Sequence, residues 1–266
     1  MALQQRDPLD VHLGRVRTLE QAGIEAPKAW AELRERLLAF LALESPLQER
    51  LTAALISGKD PDSIAELRAG ALAEAIELDA RVRVNRAVAD VILHKLLELW
   101  APFAPKAYRS VADRFDAVAK LFHCAVALCD PDANAEQVIE ADDQPLRAAW
   151  VQAATHAAEL DAIIGTLRCA AELAGVNLKD EAMKVALVID GQGAHRRRVW
   201  EGWRIKDGRT RRWGAIAKTG AVIRAADLDG LEPYRQPPPL QQKVENINGM
   251  VVTTTVDPAD AEARTA

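Results

Sequence analysis

The stretch Arg196-RRRVWEGWRIKDGRTRRWG-Gly214 decides how the last third of this chain is read. It holds eight basic and two acidic residues and three tryptophans, a local charge of +6. The whole chain of 266 residues carries −5, so everything outside the stretch carries −11. A basic, tryptophan-rich segment inside an acidic chain speaks of binding partners. Asp207-Gly208 between two extended runs is a two-residue hairpin signal. Around it Lys206 pairs with Arg209, Arg204 with Arg211 and Trp203 with Arg212. One face then carries Val199, Trp203, Ile205 and Ile216 as core. The other carries Arg198, Trp200, Arg204, Lys206, Arg209, Arg211 and Trp213. Like charges directly opposite each other are destabilising. An anionic partner relieves that conflict, and indoles stack on bases or on arginine. These seven residues are therefore the candidate polyanion-binding face, most simply for a nucleic-acid backbone. The competing expectation is that the basic face docks on the chain's own acidic body, at 130–144 for example. Solvated arginines protecting an edge strand are the third reading.

Upstream, from Met183, alternation of Met183, Val185, Leu187 and Ile189 predicts a strand, and Gly191-Gln192-Gly193 a turn. Downstream, Gly220 predicts another turn and 221–224 a short strand. Residues 179–235 are thus expected to form a small antiparallel β module, an SH3-like barrel or sheet. Pro237-Pro238-Pro239 predicts an extended linker. Asn248-Gly249 predicts a second hairpin, which needs a sheet to join, its own or a neighbouring subunit's. Residues 236–266 form this arm and a disordered tail.

Residues 1–178 read as helices that pack in an antiparallel bundle. Asp7-Pro8, Pro27, Ser45-Pro46 with Gln48, and Asp60-Pro61 or Ser63 mark starts. Gly23, Gly58 and Gly175 mark ends. The long series Ile64, Leu67, Ala71, Ala75, Leu78, Val82, Asn85, Ala89, Ile92, Leu96 and Leu99 steps by three and four and closes at Pro102. Tyr108 to Cys129 and Leu146 to Ala174 repeat the pattern. Residues 130–144 read as a solvated acidic loop with one helical turn. The valines around 82–91 make the long helix apolar on more than one side, which predicts a central helix or a contact with a second copy. Asn85 sits in that seam, as a register-fixing residue or, with the helix rotated, in water.

Several classes are excluded. The longest uncharged apolar run, LFHCAVALC at 121–129, is half a membrane span, so no membrane partner is expected. The opening residues lack the apolar stretch of a secretory leader. Three cysteines, Cys124, Cys129 and Cys169, give no disulfide framework, and a cytoplasmic setting or a particle assembled there is expected. Gly191-x-Gly193 lacks the third glycine of a dinucleotide loop, since Arg196 stands there, and no helix pattern follows it. Lys218-Thr219-Gly220 has no partner motifs and reads as a turn. His123, Cys124 and Cys129 fit no zinc spacing. No metal, cofactor or catalytic residue is assigned.

The reading is a mainly α, non-enzymatic assembly protein that forms homo-oligomers through its helices. Its general organisation is similar to that of tailed-phage and prophage structural proteins. A nucleic-acid-binding regulator or DNA-processing accessory is the alternative, and an enzyme whose site no motif reveals is the third class.

Overall fold

The computed structural model describes residues 7–42, 47–57, 60–191, 193–247 and 250–260, with the side chains of 47–49, 74–81, 245–247 and 250–252 outside that description. The chain is mainly helical with two small antiparallel sheets, and no closed barrel forms among the described residues. It divides into two compact units, residues 1–20 with 25–103, and residues 21–24 with 104–266.

The first unit contains helices α1 (Pro8–Gln21), α2 (Lys28–Leu41), α3 (Leu47–Ile56) and α4 (Pro61–Trp100). Proline sets the first turn of α1 and α4, where its missing N–H costs nothing. Asp60 caps α4 by accepting a hydrogen bond from Ser63 N at 2.9 Å. That decides between the two expected starts. The pattern at Ser45-Pro46 and Gly58 lies outside the described residues. At 1.5 Å per residue, the 40 residues of α4 span about 60 Å. Trp30, Trp100, Leu37 and Leu96 are buried where α2 crosses its C-terminal end. Trp30 donates its Nε1–H to His12 Nε2 at 3.2 Å. Burial, and then the charge of Arg15, lower the pKa of His12 to about 4, so the ring is neutral and accepts this bond.

The second unit is built on α5 (Ala104–Val126) and α7 (Gln144–Leu173), the most extensively paired helices in it. Phe115, Phe122, Leu160 and Leu167 are buried on the faces the periodicity predicts. Between them the acidic segment contains one short helix, α6 (Ala135–Glu140), as expected. Asp143 caps α7 at Leu146 N, and Gly175 ends it with a left-handed φ of 97°.

Past Gly175 the expectations fail locally. Residues 181–186 form a helix, α8 (Glu181–Ala186), capped by Asp180 at Ala182 N. Strand β1 is only Ile189–Asp190, paired with β2 (Val222–Ile223). The basic stretch is no hairpin of strands. It forms α9 (Arg196–Arg204) and α10 (Arg211–Ala217), with Asp207-Gly208 in the link and Gly208 at a φ of 98°. No SH3-like barrel results. The physical reason is spacing. Val199, Trp200 and Trp203 lie on one side of a helix of period 3.6, whereas a strand splits 199 and 203 from 200. Burial of three indoles, roughly 200 Å² each at ~25 cal/mol per Å², is worth on the order of 15 kcal/mol gross, and only the helical form buries all of them.

The second hairpin is as expected. β3 (Gln241–Ile247) and β4 (Met250–Val256) pair antiparallel in unbroken register from Gln241↔Val256 to Ile247↔Met250. Asn248-Gly249 lie between them, outside the described residues.

Candidate functional site

The basic stretch folds onto its own unit, and its indoles and most of its cations can be followed to partners. Trp200, Trp203 and Trp213 are all buried. Their N–H groups donate to Arg235 O at 3.0 Å, Glu181 Oε1 at 2.7 Å and Asp161 Oδ1 at 3.0 Å. Trp213 packs edge-on against Phe115 and Trp203. Trp203 is flanked by two guanidinium groups, Arg212 at 4.6 Å and Arg168 at 5.7 Å from the ring centre. Burial, and then the neighbouring Arg212, hold the pKa of Arg168 below the ordinary arginine value. Asp161 on α7 faces this group: it receives Arg211 Nη1 at 2.9 Å and has Arg212 Nε at 4.0 Å.

The acidic segment 130–132 takes the other end of the stretch. Arg209 Cζ lies over Trp150, 3.3 Å from its ring centre, and Arg209 Nη1 donates to Pro131 O at 3.0 Å. Thr210 donates to Asp132 Oδ1 at 2.6 Å. Lys218 bridges Asp130 at 2.7 Å and Asp132 at 3.2 Å, and its hydrogen bond holds the Asp130 pKa below the carboxylate range. The crossing of α9 and α10 is close, since a Cβ on Gly202 would sit 3.3 Å from Ala215; within α10, one on Gly214 would sit 2.0 Å from Thr210 Oγ1. The N-terminal end of α9 grips the base of the C-terminal arm. His195 Nδ1 caps Arg198 N, and its Nε2 lies 2.8 Å from Asp260 Oδ1. Arg197 holds the Asp257 carboxylate and the Pro238 carbonyl, and Arg196 donates to Gln236 O at 3.2 Å.

Of the seven candidate residues, the fold therefore brings Arg209, Arg211 and Trp213 together around α7 and the 130–132 segment. Trp200 is separate from them, with Arg204 5.9 Å above its ring. Arg198, Arg204 and Lys206 face solvent, with the acidic Glu201 and Asp207 beside them in the chain also exposed. The acceptor that sequence reasoning missed is Asp161, whose helical surroundings do not mark it. Asp132 lies in the acidic segment 130–144 expected from the sequence as a docking surface.

A cleft of about 620 Å³ lies beside α9, lined by residues of 189–191, 193–196 and 224–235. Its opposite charges face each other, with Arg224 Nε and Nη2 at 3.1 and 2.8 Å from Asp190 Oδ2. Tyr234 fills the space a side chain at Gly191 would need, 2.4 Å from such a Cβ. A helix does follow the Gly191-x-Gly193 turn, contrary to the sequence reading, yet β1 pairs antiparallel and Arg196 occupies the third glycine position. His123 accepts a hydrogen bond from Ile223 N at 3.0 Å, and burial lowers its pKa. Among the described residues no group of three or more His, Cys, Asp or Glu side chains is placed to hold a metal ion. No helix among them is long and apolar enough to cross a membrane. In comparisons with protein-family models, with curated proteins and with solved structures, nothing matches this chain.

Proposed function

We propose that the protein is a non-enzymatic assembly protein whose copies associate through α4. One observation carries the reading. The α4 seam Val82, Asn85, Ala89, Ile92, Leu96 and Leu99 keeps strict four-three spacing, yet its cover ends partway along. Leu96 is fully buried, whereas Val82 is 60% exposed, with Val84 and Val91 also exposed on the flank. A heptad seam is self-complementary, so a second copy of the same helix is the partner it suits, with Asn85 setting register. The engaged state of most of the basic stretch supports this reading over a nucleic-acid reader. The exposed Arg198, Arg204 and Lys206 then contact an acidic surface of a neighbouring subunit.

The test is a double substitution, Val82→Glu with Val91→Glu. Both positions are exposed, so the helix content should hold by circular dichroism while the mass by light scattering falls. An unchanged mass removes α4 from the interface. Salt-sensitive binding of duplex DNA, lost in Arg198→Glu with Arg204→Glu, would favour the regulator reading instead.

A further inference from the structure

We infer that the outer edge of β4 pairs with the same edge of a second copy, joining two hairpins into one four-stranded antiparallel sheet across a two-fold axis at Thr253. This rests on the self-association proposed above but uses different residues. The register decides which backbone groups are free. Two residues separate Ile247 from Met250, and in such a hairpin every second pair, beginning with the one beside the connection, exchanges its hydrogen bonds. The N–H and C=O groups of Met250, Val252, Thr254 and Val256 therefore point at β3. Those of Val251, Thr253 and Thr255 point away from it. Among the described residues no third strand pairs with either edge. Under a two-fold axis Thr253 stands opposite its own copy and Val251 opposite Thr255, so every outward group finds a partner.

The two edges of the hairpin differ in chemistry. β4 reads MVVTTTV, with six β-branched residues and no charge, proline or bulge. Unpaired edges in natural proteins are ordinarily blunted by lysine, proline, a bulge or shortness. β4 has none of these over seven residues. β3 reads QQKVENI, with Lys243, Glu245 and residues of low strand propensity, and so carries the usual protection. The described side chains of both strands, 241–244 and 253–256, are exposed, Val244 at 63% and Val256 at 40%. The base of the arm, by contrast, is fixed by Arg197 on Asp257 and by Ala259, which is buried. A two-stranded ribbon is marginal in water, and added strands are one of the things that independent stability requires. An uncharged edge selects by fit alone, and a symmetric contact satisfies both copies in one step.

The experiment uses the full chain with Thr253→Cys. Opposed residues across such an axis have Cα atoms about 5.5 Å apart, within disulfide reach. Mild oxidation should raise the covalent-dimer fraction at least about tenfold over the unsubstituted chain, as expected for a thiol pair held at mM effective concentration. The unsubstituted chain is the needed reference because Cys124 is exposed. Gln242→Cys, on the outward edge of β3, should stay at the reference level. Thr253→Pro should block the contact while sparing the hairpin, since the N–H it removes points outward. No excess cross-link in Thr253→Cys overturns the inference, as does a stronger cross-link in Gln242→Cys. Repeating the Thr253→Cys cross-link in the Val82→Glu, Val91→Glu background separates the two contacts. Persistence there means that the edge acts without α4. Loss of mass with no cross-link in either background overturns the edge contact and leaves only the α4 reading.

Discussion

The helical pair α9–α10 and the strand pair β3–β4 are near neighbours in the chain and are joined through Arg197 and Asp257. They treat their side chains in opposite ways. In α9–α10 three indoles are buried, their N–H groups all find acceptors, and Arg209, Arg211, Arg212 and Lys218 meet Asp161, Trp150, Trp203, Asp130 or Asp132. In β3–β4 the described side chains touch water on both faces, and among the described residues no strand pairs with the uncharged β4 edge. Charge density is thus a poor guide to where a partner binds. Unfulfilled packing and unpaired backbone groups are a better one, because a strongly charged segment can find its counter-charges at home.

The largest break in this comparison should come from Trp213→Ala. Its ring is fully buried between Phe115 and Trp203, so a loss of about 3–5 kcal/mol is expected by urea denaturation. An effect below ~1 kcal/mol would mean that α10 is not docked as described. Next comes Asp161→Ala, which leaves Trp213 N–H and Arg211 without their acceptor at a half-buried site. A cost of about 2–3 kcal/mol is expected, and Arg211→Ala should be much milder because that side chain is half exposed.

Acid gives a reference from the first unit. His12 titrates near 6.5 when unfolded and at about 4 when folded, so between these values the unfolded chain binds more protons. Stability is therefore full above pH 6.5 and falls as pH drops toward 4, on the order of 2 kcal/mol. Protonation also replaces the acceptor facing Trp30 N–H with a second donor. A urea midpoint that stays flat from about pH 7 to about pH 4.5 in the full-length chain would contradict this role of His12.

Gly214→Ala should cost about 1–2 kcal/mol, because its Cβ collides with Thr210 and loosens the Thr210–Asp132 hydrogen bond. The smallest effect is expected from Arg198→Ala, Arg204→Ala and Lys206→Ala, each within about 0.5 kcal/mol by thermal melting. A large loss in any of the three would show that the exposed remainder of the stretch is also structural.

Much of this fold was legible in the sequence. α4, α5 and α7 follow from apolar spacing and from Asp60 and Gly175 as punctuation, and β3–β4 from Asn248-Gly249 between extended runs. The 181–217 region was not, for three physical reasons. Met183, Val185, Leu187 and Ile189 alternate over too few residues to outweigh the Asp180 cap. Asp-Gly also links helices when glycine supplies a positive φ, as Gly208 does. The third reason was in plain view: a hairpin would set Arg204 opposite Arg211 and Lys206 opposite Arg209. That local conflict argued for an absent partner, but it argued equally against strands. Of the counter-charges, Asp132 lies in the acidic 130–144 segment that composition does mark, 78 residues from Thr210, whereas Asp161 lies 50 residues from Arg211 in a helix and no local pattern announces it.

The most direct test is the mass of the full chain by light scattering after size exclusion, over a range of concentrations, at low and at ~0.5 M salt, with and without short duplex DNA. Screening at such salt acts within a few ångströms, so it dissolves exposed charge contacts and leaves apolar and backbone contacts in place. Self-association through α4 and the β4 edge predicts a mass of two or more chains that rises with concentration, persists at ~0.5 M salt and does not respond to DNA. A single-chain mass at every concentration, or a DNA-dependent shift that salt abolishes, would contradict it.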